Sequence, residues 1–65
     1  MDLDLIRVDS MYVIVSAPIG VNDDQYVCHW AELRVGHLLE NIRTHYNYST
    51  RRNEFFFKIK GVRNV

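Results

Sequence analysis

The side chains best equipped for chemistry are one thiol, Cys28, and three imidazoles, His29, His37 and His45. A thiolate beside an imidazole makes a nucleophile, and three or four such groups converging on one point hold zinc. The spacing argues against both. Helical ligands must recur at i and i+4, whereas these histidines stand eight apart, and adjacent Cys28 and His29 point about 100° from each other on a helix. Cys28 also falls on an apolar stripe, where a thiol is usually inert. Asp23-Asp24 has the look of a catalytic carboxylate pair, but a helix start explains two acids there without chemistry. Gly20, Gly36 and Gly61 are isolated, so no glycine-rich phosphate loop exists. The expectation is a protein that is not an enzyme and carries no metal or cofactor.

The elements that would position these groups can be read from the chain. Leu3 to Val8 and Met11 to Ala17 are aliphatic and β-branched, and Asp9-Ser10 breaks them into a hairpin. Met11, Val13, Val15 and Ala17 share one face of the second strand, with Tyr12, Ile14 and Ser16 on the other. A strand apolar on both faces belongs mid-sheet, with one face still needing cover once a single helix is placed.

Pro18 and Gly20 end that strand, and Asn22-Asp23-Asp24-Gln25 marks a helix start, with Asn22 as the N-cap and Val21 and Tyr26 as a hydrophobic staple. Val27, Cys28, Ala31, Val35, Leu38, Leu39, Ile42 and Tyr46 then fall within an arc of about 120°. That spacing predicts one long amphipathic helix over about 23–46, roughly 36 Å in length, with Asn47 ending it. The competing reading makes Gln25 to Trp30 a strand, because Tyr26, Val27, Cys28 and Trp30 have β propensity. After a polar turn over Ser49 to Asn53, Glu54 to Val62 reads as a last strand, with Phe55, Phe57 and Ile59 facing the core and Phe56, Lys58 and Lys60 facing away. The expected fold is a single α+β domain over residues 1–65, ordered ββαβ, with a three-stranded, mainly antiparallel sheet packed on the helix.

A chain of 65 residues buries only about 60% of its unfolded surface, so disulfides, metals or oligomerisation usually support a domain of this size. A lone cysteine permits no internal disulfide and suits a reducing compartment, which predicts a cytoplasmic protein. No segment reaches the ~20 apolar residues of a membrane span, and the acidic start Met1-Asp2-Leu3-Asp4 is unlike a signal peptide. The sequon at Asn47-Tyr48-Ser49 therefore carries no weight. The net charge is zero but unevenly spread: residues 1–32 carry six acids against Arg7, and residues 33–65 carry seven bases against Glu40 and Glu54. Such an asymmetry favours association between copies or attraction of an anion.

On the long helix, Tyr26, Trp30, Leu33 and His37 form a second stripe opposite the core stripe, with Gly36 on its flank. A surface helix keeps that side polar, and Trp and Tyr dominate the energetics of interfaces. These five residues are the expected partner-binding site, and Tyr12, Ile14 and Phe56 are a second apolar surface on the sheet. The sequence thus predicts a small interaction protein that forms a homodimer and binds and modulates, or inhibits, a larger protein. In size and style it resembles the accessory regulators of phages and mobile elements. The alternative is nucleic-acid binding, with Arg51, Arg52, Lys58, Lys60 and Arg63 interleaved with Phe55, Phe56 and Phe57 for phosphate contact and base stacking. A pI near 6.8 lacks the basic excess typical of that class.

Overall fold

A computed structural model describes residues 2–62. Strands β1 (Asp4–Val8) and β2 (Tyr12–Pro18) precede helix α1 (Asp24–Val35), which is followed by strands β3 (His37–Asn47) and β4 (Arg52–Val62). The strands form one antiparallel sheet in the order β1-β2-β4-β3. The α+β class expected from the sequence is the class found, with a fourth strand and a helix of 12 residues in place of one spanning about 23–46.

Short polar side chains set most of the boundaries. Asp9 folds its carboxylate back on the β1–β2 turn, accepting hydrogen bonds from the Met11 and Tyr12 amides at 2.9 and 2.8 Å. Helix α1 starts where the acidic run predicted, but the N-cap is Asp23 rather than Asn22. Asp23 Oδ1 accepts from the amides of Gln25 and Tyr26 at 3.1 and 3.3 Å, so residues 25–30 are helical and not a strand. The helix ends at Gly36, which adopts φ 77° and donates its amide to Glu32 O. That left-handed turn suits a residue without Cβ, which makes Gly36 a C-terminal cap and not a mid-helix packing position.

Beyond Gly36 the chain is a strand, which corrects the long-helix reading. Leu38, Leu39, Ile42 and Tyr46 match helical spacing, but Ile42-Arg43-Thr44-His45-Tyr46 is β-branched and aromatic, which suits a pleated surface. This segment pairs with β4 along its whole length, which satisfies the backbone groups on that side, with irregularities between Leu38 and Leu39 and between Asn41 and Arg43. Asn47, expected to end the helix, instead opens the β3–β4 turn: its Oδ1 accepts from the Ser49 and Thr50 amides, and its carbonyl from the Arg51 amide. The last strand begins at Arg52, two residues earlier than expected.

The core lies between α1 and one face of the sheet. Val13, Val15 and Ala17 of β2, Phe55 and Phe57 of β4, Leu39 of β3, Val27 and Ala31 of α1, and Leu3 are buried. Ile59, Cys28, Val35 and Trp30 pack against this cluster. Alternation in β2 and β4 thus points the expected residues inward, except that Met11 is exposed. Of the predicted helical core stripe beyond residue 36, only Leu39 is buried, whereas Leu38 and Ile42 are exposed on β3.

Candidate interaction surfaces

The helix gives the first surface. Tyr26 and Leu33, seven residues apart, both point outward and are 46% and 56% exposed. Trp30 lies partly against the core, with the Arg34 guanidinium 4.2 Å from its ring centroid, so the indole is shielded on one side by a cation–π contact. The stripe expected from the sequence stops at Leu33. Gly36 has become the cap, and His37 begins β3, half-buried, with its Nδ1 buried and without a hydrogen-bond partner. Tyr26 also borders a shallow hollow of about 220 Å³ lined by Gly20, Val21, Asn22 and Asp23, beside the exposed Ile19.

The second surface is the face of the sheet that α1 does not cover. Antiparallel pairing sets Ile14 opposite Phe56 and Tyr12 opposite Lys58 on the two central strands, so the predicted trio shares one face. β3 supplies neighbours that the sequence reading had placed on a helix. The Arg43 guanidinium lies 4.4 Å from the Phe56 ring centroid, and the His45 ring meets Phe56 edge-on at 5.2 Å. His45 Nε2 is 2.7 Å from Glu54 Oε1, and Asn47 Nδ2 donates to Glu54 Oε2 at 2.9 Å. These bonds from His45 and then Asn47 favour the Glu54 carboxylate and hold its pKa below the usual range. The Asp9 carboxyl is likewise held low, chiefly by the Met11 and Tyr12 amides.

The cations proposed for nucleic acid are dispersed. Arg52 Nε donates to Ser16 Oγ at 2.6 Å, and its Nη2 donates to the carbonyls of Ser16 and Asp2 and lies 3.8 Å from Asp4 Oδ2. Arg51 sits in the β3–β4 turn at φ 56°, Lys58 and Lys60 are exposed on β4, and Arg63 lies outside the described residues. Phe55 and Phe57 stack in the core, which leaves Phe56 as the ring of that trio on the surface.

The thiol ties α1 to β3. Cys28 Sγ donates to Leu39 O at 3.3 Å, while Glu32 Oε2 accepts from Leu39 N at 2.9 Å. Two helix side chains therefore occupy both backbone groups of one residue on the edge strand β3. Burial, with the nearby Glu32 charge next, pushes the thiol up to about 11. Among the described residues, no cluster of three or more His, Cys, Asp or Glu side chains is arranged to hold a metal, and no helix is long and apolar enough to cross a membrane.

In comparisons with known proteins, no family model, no curated protein and no solved structure matches the chain.

Proposed function

We propose that this chain is a non-enzymatic interaction module that self-associates and acts by binding, and so modulating or inhibiting, a larger protein. The observation that carries the reading is apolar surface on both sides of so small a fold: the exposed Tyr26 and Leu33 on the outer face of α1, and the exposed Tyr12 beside the half-buried Ile14 and Phe56 on the uncovered face of the sheet. Each large apolar side chain that leaves water contributes about 1.5–3 kcal/mol, so either patch gains from being covered. A small phage-type accessory regulator would work this way, by occupying a surface of its target. The part-buried lone thiol suits a cytoplasmic setting. The nucleic-acid alternative keeps fewer groups than the sequence offered it, because two of three rings are buried and Arg52 is engaged within the chain.

Immobilised protein tests the reading directly. The native chain should retain a protein from lysate that a folded Leu33→Glu variant releases, because a charge at the centre of an apolar contact is costly to bury. Equal retention by both would remove the helix stripe from the account. Salt-insensitive binding to an oligonucleotide would argue against the alternative, since phosphate contacts weaken steeply with salt.

A further inference from the structure

We infer that the uncovered face of the sheet is the self-association surface, and that it takes a second copy of this chain related by a two-fold axis parallel to the strands. The inference rests on the self-association proposed above and assigns it a face and an orientation. Three observations carry it: the size of the face, its apolar centre and the charge split across it.

Size separates the two apolar surfaces. Four strands at about 4.8 Å spacing, with lengths of five to eleven residues at about 3.3 Å each, outline a face of about 540 Å² per copy. Two such faces clear the roughly 1,000 Å² total that a specific interface needs. Helix α1, at 12 residues, is about 18 Å long and about 10 Å wide, so a pair of its outer faces falls well short.

At the middle of the sheet face Ile14 lies beside Phe56, whose ring carries the Arg43 guanidinium, and Ser16, Glu54 and Lys58 flank the pair on the same two strands, so a small apolar centre sits within a polar surround. Ile14 and Phe56 are directly paired on β2 and β4 and are half-buried in the single chain. A two-fold axis running between these two strands, along their direction, exchanges β2 with β4 and β1 with β3. Ile14 of one copy then lies over Phe56 of the other, at the same level along the strands.

Charge selects this axis over the one across the strands. The ribbon of β1 and β2, with its turn and lead-in, carries Asp2, Asp4 and Asp9 against Arg7. The ribbon of β3 and β4, with its turn, carries Arg43, Arg51, Arg52, Lys58 and Lys60 against Glu40 and Glu54. The sequence's charge asymmetry has become an asymmetry between the two halves of one sheet. An axis along the strands stacks the acidic ribbon on the basic one and brings Asp4, which lies 3.8 Å from Arg52 in its own chain, over the second copy's His45, itself bonded to Glu54. An axis across the strands stacks like on like. The axis along the strands also sets Arg7 over Arg43 in the middle row, a like-charge pair that the Arg7–Asp9 ion pair at 2.9 Å offsets in part.

The test is the sedimentation-equilibrium mass of the native chain and of three variants, each checked for its fold by circular dichroism. The native chain should show twice its 7.7 kDa, Tyr12→Glu and Phe56→Glu should halve that mass, and Leu33→Glu should leave it unchanged. Tyr12 is 39% exposed, so its variant keeps the test sound if Phe56→Glu does not fold. A dimer broken by Leu33→Glu, or one that survives both sheet variants, overturns the face assigned here and leaves self-association standing. A native chain that stays at 7.7 kDa overturns self-association itself.

Discussion

Gly36 shows how much one residue's conformation decides. As a mid-helix glycine it would gain about 1 kcal/mol on replacement by alanine. At φ 77° the sign reverses: Gly36→Ala should lower the unfolding free energy by about 1 kcal/mol, with Gly36→Asn less harmful, as read from urea titrations. Glu54 supplies a test in pH. Its folded pKa lies below its unfolded value, so in acid the unfolded state binds more protons and stability rises with pH. The contribution is present above the ordinary glutamate range near 4.5 and is lost as pH falls through the lower folded value. Urea midpoints from about pH 6 down to about pH 3 should therefore fall further for the native chain than for Glu54→Gln. Neither His45 nor Asn47 could be assigned to Glu54 from the sequence, because His45 lay in the last turn of a segment read as helix and Asn47 was read as ending it, and the pairing exists only once β3 and β4 are in register.

At the scale of elements, the sequence is most legible where the signal is local. The Asp9 turn, the alternation of β2 and β4 and the acidic helix start are each written within a few residues, and each is where the sequence placed it. The cap differs by one position, so Asp23→Ala should cost about 1 kcal/mol and Asn22→Ala far less, measured by thermal or urea unfolding. Strand β3 was hidden by coincidence, because its apolar residues fit a helical spacing as well as a strand one, and only its long-range pairing with β4 decides between them. The glycine at position 36 followed by a β-branched and aromatic run was the available signal. The same strand forms an edge of the sheet, where unpaired backbone invites association. Glu32 and Cys28 close part of that edge at Leu39, so Glu32→Ala should cost about 1 kcal/mol and raise the hydrogen-exchange rate of the Leu39 amide.

Across the whole molecule, one helix covers one face of a four-stranded sheet, and nothing within the described residues covers the other. The sequence announced this through β2, whose two apolar faces require neighbours on both sides, although it did not say that β3 would bring Arg43 and His45 to the open face. The core is small: Phe57→Ala removes a fully buried ring and should cost about 3–5 kcal/mol, which approaches the whole stability of a domain this size, so a far-UV melt should show it largely unfolded at room temperature. A fold with so little margin and so much exposed apolar surface gains from covering its sheet, and the proposed dimer would leave the helix stripe free. The most direct test is the mass of the unmodified chain across a tenfold concentration range by sedimentation equilibrium. Self-association predicts a reversible shift towards twice 7.7 kDa as concentration rises; a constant 7.7 kDa throughout would contradict it.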